Sequence, residues 1–64
     1  MLVNGKQIRI ANNITISELL KQEGYDPLRV AVEKNGKVMP KNNFDTEMLS
    51  DSDKIEVVHF VGGG

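Results

Sequence analysis

The sequence predicts an α+β domain of two layers, a mixed sheet of about five short strands with one helix packed on one face. Three features carry that prediction. Two Asn-Gly pairs each join short apolar runs, a capping box opens a single amphipathic stretch, and a β-branched run extends from Ile55 to Val61. The chain has 64 residues, enough for one small core. A domain of this size buries only about 60% of the surface its unfolded chain exposes. With no cysteine and a single histidine, neither disulfides nor a thiolate metal site can staple it. The core must come from aliphatic side chains. The formal net charge is −1, which argues against nucleic acid as a partner, because phosphate binding wants a clustered basic excess. No segment approaches the ~20 apolar residues of a membrane helix and no signal peptide is evident, so a soluble cytosolic protein is expected.

Met1 to Ile10 reads as a β-hairpin about Asn4-Gly5, since a type I′ turn needs φ > 0 at both central residues. A two-residue loop pairs Val3 with Lys6 and Leu2 with Gln7, which places Met1, Val3, Ile8 and Ile10 on the core face. Thr15 then suits a helix N-cap, with Glu18 completing the capping box and Ile14 and Leu19 placed for a hydrophobic staple. Ile16, Leu19 and Leu20 form the apolar stripe. Gly24 fits a left-handed C′ residue and Pro27 blocks resumption of the helix, which is expected over Ile16 to Glu23. Arg29 to Glu33 alternates as a strand with Val30 and Val32 inward, Asn35-Gly36 makes a second tight turn, and Lys37-Val38-Met39 returns until Pro40. Lys41 to Met48 reads as a loop with one helical turn, and Ser50-Asp51-Ser52-Asp53 as a turn cluster before the last strand.

The order β-β-α-β-β-β at this length matches the β-grasp, or ubiquitin-like, fold. There the last strand lies beside the first in the middle of the sheet and carries the chain outward. Residues 1–61 are expected to form that domain and 62–64 a flexible tail. Glycine accepts φ of either sign, and three extended residues reach roughly 10 Å. The tail therefore suits a carboxylate delivered into another protein's active site. A frayed end is the plain alternative. Leu2, Ala31, Val58 and Phe60 should lie on the sheet face away from the helix, a partner-docking patch beside the tail.

The ending Ile55-Glu56-Val57-Val58-His59-Phe60-Val61-Gly62-Gly63-Gly64 resembles the C-terminus of the sulfur carrier proteins of thiamine biosynthesis, the ThiS family. The Asn4-Gly5 hairpin, Val30-Ala31-Val32, Asn35-Gly36, Val38-Met39-Pro40-Lys41 and Leu49 ahead of Asp53 agree with it, so the resemblance spans nearly the whole chain. Two positions depart: the family usually has glycine at Ser52 and commonly arginine at Lys41. A left-handed Ser52 would carry modest strain.

The resemblance implies a carrier, not an enzyme. An adenylating activating enzyme uses ATP on the Gly64 carboxylate while Gly62 and Gly63 thread its active site. A cysteine desulfurase or sulfur relay protein supplies the sulfur of a thiocarboxylate, and thiazole synthase accepts it. No intrinsic cofactor and no metal are implied, and the free protein is expected to be a monomer. Lacking cysteine, the chain cannot hold sulfur as its own persulfide, so covalent sulfur must sit on the carboxyl end. Other ubiquitin-like carriers, such as the small subunit of molybdopterin synthase or a modifier joined to lysines, share the Gly63-Gly64 end. A non-covalent β-grasp interaction module is the remaining alternative.

Among other residues, His59 reads as an edge histidine in a structural role. Asp51, Asp53 and Glu56 read as a solvated acidic turn, and Lys34, Lys37 and Lys41 as guards on an edge strand.

Overall fold

The computed structural model describes residues 1–60. The expected tail, Gly62 to Gly64, and the Val61 end of the last predicted strand lie outside them. The described chain is a β-grasp domain. β1 (Leu2–Val3) and β2 (Lys6–Gln7) form the hairpin, and β4 (Val30–Lys34) and β5 (Lys37–Met39) a second one. β7 (Lys54–His59) lies between them, parallel to β1 and antiparallel to β4, giving the sheet order β2-β1-β7-β4-β5. The expected hairpin register holds, with Leu2 opposite Gln7 and Val3 opposite Lys6.

The helix, α1 (Ile16–Gln22), is fixed at both ends by short-range chemistry. The Thr15 hydroxyl accepts from the Glu18 amide at 3.1 Å, and the Glu18 carboxylate accepts from the Thr15 amide at 2.8 Å, so the capping box is complete. At the other end Gly24 has φ +82°. Its amide donates to the Lys21 carbonyl at 3.3 Å and the Tyr25 amide to the Leu20 carbonyl at 2.8 Å, the two bonds of a Schellman cap. Pro27 does not simply stop the chain. It opens a 3₁₀ turn, Pro27–Arg29, whose Leu28 amide is capped by the Asp26 carboxylate at 2.9 Å.

Two further strands were not anticipated. β3 (Ile14–Thr15) and β6 (Met48–Leu49) pair antiparallel as a separate two-residue ladder. With bonds from the Ile16 amide to Glu47 and the Ser17 amide to Phe44, this ladder ties the helix start to the 41–49 loop. Phe44 and Leu49 consequently enter the core, joining Met1 and Val3, the helical stripe Ile16, Leu19 and Leu20, and the inward residues Val30, Val32, Ile55 and Val57.

Each Asn-Gly turn has a second role. Asn4 and Asn35 are the two non-glycine residues at positive φ among those described, at +51° and +52°. Both place a side-chain amide on the central strand. Past the β1 ladder bond from the Asn4 amide to the Ile55 carbonyl, 2.9 Å, the Asn4 side chain takes over. Its Oδ1 accepts from the Val57 amide at 2.7 Å and its Nδ2 donates to the Val57 carbonyl at 3.2 Å, as the next peptide of a strand would. At the other end of β7, Asn35 binds Lys54 with one backbone and one side-chain group: its backbone N–H donates to the Lys54 carbonyl at 2.8 Å and its Oδ1 accepts from the Lys54 amide at 2.9 Å.

The expectation of strain at Ser52 is corrected. Positive φ among the described non-glycine residues is confined to the two asparagines, so serine fits its turn without a left-handed penalty.

Replacing Asn4 separates the clamp from the turn. Asn4→Gly keeps the positive φ but removes both bonds to Val57, and should lower the unfolding free energy in urea by about 1–3 kcal/mol. Leu19→Ala, a pure core truncation, should cost about 2–5 kcal/mol. An Asn4→Gly variant as stable as the parent would show that the side-chain clamp contributes nothing.

Candidate functional site

Strand alternation divides the sheet into a covered and an open face. On β7, Ile55 and Val57 are buried under the helix while Lys54, Glu56 and Val58 face away. On β4, Val30 and Val32 are buried and Ala31 and Glu33 face away. Cross-strand register brings Ala31 opposite Val58, Leu2 opposite Lys54, and Glu33 opposite both Glu56 and Val38. The expected patch of Leu2, Ala31, Val58 and Phe60 thus shares the open face. Val58 and Phe60 are more than half exposed, at 56% and 58%, and Ala31 is half-buried among them.

The chain leaves the sheet at Phe60, and its surroundings are built by three segments. The Phe60 amide donates to the Arg29 carbonyl at 2.9 Å, which holds the end of β7 against the 3₁₀ turn. Lys41 bridges the two: its Nζ donates to the Pro27 carbonyl at 3.1 Å and stands 5.1 Å from the centre of the Phe60 ring. A cation over an aromatic face fixes the ring's orientation while leaving its other side open. Lys41 therefore belongs to the exit of the tail and is not an edge-strand guard. Arginine, with a planar head that stacks on aromatic rings, would suit the same place.

Three exposed apolar residues escaped the sequence reading, of which Met48 on β6 is the least exposed. Leu28, in the turn that carries Phe60's acceptor, is 78% exposed, and Val38, across β4 from Glu33, is 69% exposed. Leu28 hides in a segment without periodicity. Val38 was visible as the outward residue of a three-residue strand, and its alternation is the signal that could have found it.

The remaining sequence candidates resolve as structural. His59 is exposed at the sheet's end, its ring tilted 45° against Tyr25 at 5.3 Å. Among the described residues no group of His, Cys, Asp or Glu could hold a metal ion. Asp53 is not part of a solvated turn. Its carboxylate accepts from the Ser50 amide at 2.8 Å and from Asn35 Nδ2 at 3.0 Å, and lies 3.9 Å from Lys34 Nζ. Lys34 is not an edge guard either. It sits on an inner strand and donates to Glu47 at 2.7 Å and the Met48 carbonyl at 3.1 Å. Burial pushes the Asp53 carboxyl up, but the Ser50 and Asn35 bonds and the Lys34 charge outweigh it and leave its pKa below the ordinary carboxylate value. The bond to Glu47 raises Lys34 above its ordinary value; burial opposes this and the charges of Asp53 and Glu47 reinforce it.

A small β-grasp domain that brings its central strand out beside an open apolar face is the architecture of the ubiquitin-like proteins. The ThiS family model matches residues 1–64, and the chain belongs to that family. It is 38% identical over 63 residues to the sulfur carrier protein ThiS of Bacillus subtilis, covering 97% of this chain and 96% of that one. It is 36% identical over 64 residues to a thiazole synthase of Paramagnetospirillum magneticum, matching all of this chain but only 20% of that protein. A second thiazole synthase, from Magnetococcus marinus, is 39% identical with 19% covered, so the chain spans about a fifth of these relatives' length. Among solved structures, the crystal structure of the thiamine biosynthesis protein ThiS from Geobacter metallireducens superposes with a TM-score of 0.83 at 33% identity, covering 98% of this chain and 96% of that one. No described helix is long and apolar enough to cross a membrane.

Because the folded pKa of Asp53 is lowered, its contribution to stability is complete above the unfolded carboxylate pKa of about 4 and is lost as pH falls through the folded value. Urea unfolding of the parent and of Asp53→Asn should therefore differ at neutral pH and converge in acid below the usual carboxylate range. A difference that persists unchanged in strong acid would mean that the ionised carboxylate is not what stabilises the turn.

Proposed function

We propose that this protein is the sulfur carrier of thiamine biosynthesis, with Gly64 as its covalent site. The observation that supports this most strongly is the route of the central strand. β7 is clamped on both sides and ends at His59, the next residue Phe60 is bonded to Arg29, and Val61-Gly62-Gly63-Gly64 follows in sequence. A strand held this firmly is a fixed base for a reactive end.

The chain's own part in the reaction is to present a carboxylate. An oxygen of the Gly64 carboxylate attacks the α-phosphate of ATP in the active site of an adenylating enzyme, and pyrophosphate leaves. The outer sulfur of a persulfide on a cysteine desulfurase or a relay protein then attacks the activated carbonyl and expels AMP. A thiol cleaves the resulting acyl disulfide, leaving a disulfide with that cysteine and freeing the thiocarboxylate that thiazole synthase uses as sulfur donor. Activation by a partner is chemically required, since the oxygen of a carboxylate is a poor leaving group. Gly62 and Gly63 lack a Cβ that would clash with a narrow channel. The chain binds no cofactor of its own in this scheme, works as a carrier and not as an enzyme, and meets ATP on its partner in the cytosol. Relatives named thiazole synthase that contain a segment like this chain support thiazole synthase as the acceptor. The open sheet face with Leu2, Ala31, Val58 and Phe60 is the docking surface, to which Leu28 and Val38 are added.

Deleting Gly64 should abolish ATP-dependent pyrophosphate release with the activating enzyme and leave the melting curve in place. An unaltered rate would rule out the carrier reading. Phe60→Ala should weaken binding to the activating enzyme or to thiazole synthase by about 2 kcal/mol or more, because an exposed aromatic beside the tail is a natural anchor. Its folding stability should fall far less than that of Leu19→Ala. If both variants unfold alike, Phe60 is a packing residue and the docking face has been misassigned.

A further inference from the structure

The open face carries a charge arrangement that folding does not explain. Glu33 on β4 stands directly opposite Glu56 on β7. Directly opposed residues have Cβ atoms about 5 Å apart, and like charges there are destabilising. One counter-charge lies within reach on the same face: Lys54 Nζ, 3.7 Å from Glu56, on a strand position facing outward with it. Among the described residues Glu33 joins no ion pair, so one carboxylate of the pair is left without a cation. The other lysines near this end of the sheet are engaged elsewhere or face away: Lys34 is held by Glu47 on the covered side, Lys37 stands opposite Lys34 on that same side, and Lys41 is held by Pro27 and Phe60 where β7 ends. Around the two carboxylates lie the exposed apolar residues Val58 and Val38, with half-buried Ala31 between the strands. An acidic pair with a single counter-charge costs the free domain stability and becomes favourable when a second cation from outside is brought against it.

We propose that Glu33 and Glu56 are the charged receptor for an arginine or lysine that the adenylating partner presents from an otherwise apolar surface, and that this contact sets the register in which the tail enters the active site. The inference rests on the carrier reading above and adds to it the chemistry of the partner's surface. A bidentate guanidinium suits two carboxylates on adjacent strands. A second copy of this chain does not fit as occupant: self-association through this face would bring four carboxylates together. The residues are positioning groups, since neither lies at the tail.

The test uses Glu33→Gln and Glu56→Gln, singly and together, in the full chain. Each should fold with a melting temperature equal to or above the parent's, because the repulsion is gone. Each should weaken binding to the activating enzyme, read by calorimetric titration, by about tenfold or more. The double variant should also lose much of the parent's decline in affinity with rising salt. The KM for the carrier in pyrophosphate release should rise more than kcat falls. Unchanged affinity in the double variant, while Gly64 deletion still abolishes adenylation, overturns this inference and leaves the carrier reading intact. Lower stability in either single variant, or dimerisation of the parent through this face in sedimentation, also overturns it. Normal adenylation without Gly64 overturns both.

Discussion

Everything in this domain depends on the central placement of one strand. β7 enters between two hairpins, antiparallel to β4 over five residue pairs and parallel to β1 over only two. β1 contributes only Leu2 and Val3. Asparagines supply the rest: the Asn4 side chain binds both polar groups of Val57, and Asn35 binds the Lys54 amide with its side-chain oxygen and the Lys54 carbonyl with its backbone N–H. A left-handed residue at the start of each turn aims its side chain back across the sheet, and asparagine is the residue that tolerates the backbone and can mimic a peptide. Local turn chemistry and long-range topology are thereby set by the same two residues.

With β7 fixed, the division of labour between the faces follows from alternation. Its inward residues complete the core with the helix, and its outward residues Lys54, Glu56 and Val58 lie on a face that nothing in the described chain covers. The acidic residues separate in the same way. Asp53 and Glu47 are neutralised by Lys34 and by amide donors at the sheet's end and stabilise a turn. Glu33 and Glu56, outward on the open face, are set against one another. Carboxylates of the first kind stabilise the fold, and those of the second kind do not.

Much of this was legible in the sequence, and the part that was not has physical reasons. Signals acting over a few residues read correctly: the Thr15–Glu18 box, Gly24 as a left-handed cap, and both type I′ turns. The long β-branched run identified the central strand. The β3–β6 ladder was missed because two residues have no periodicity, and its existence depends on the 41–49 loop reaching the helix start. Asp53 and Lys34 were misjudged as solvent-facing groups, since composition marks a turn cluster but not the amide donors that tertiary packing aims at it. For the candidate site, alternation placed Leu2, Ala31, Val58 and Phe60 on one face. The turn that exposes Leu28 and the bridge from Lys41 to Phe60 arise only when distant segments meet.

The central claim is that this scaffold exists to present a terminal carboxylate for sulfur loading. Intact-mass spectrometry of the full chain, incubated with ATP, the activating enzyme, cysteine desulfurase, cysteine and a thiol reductant, tests it most directly. The account predicts a mass gain equal to the exchange of one oxygen for one sulfur, dependent on ATP and localised by fragmentation to Gly64. An unchanged mass under conditions where the activating enzyme is active, or a sulfur located anywhere else in the chain, would contradict it.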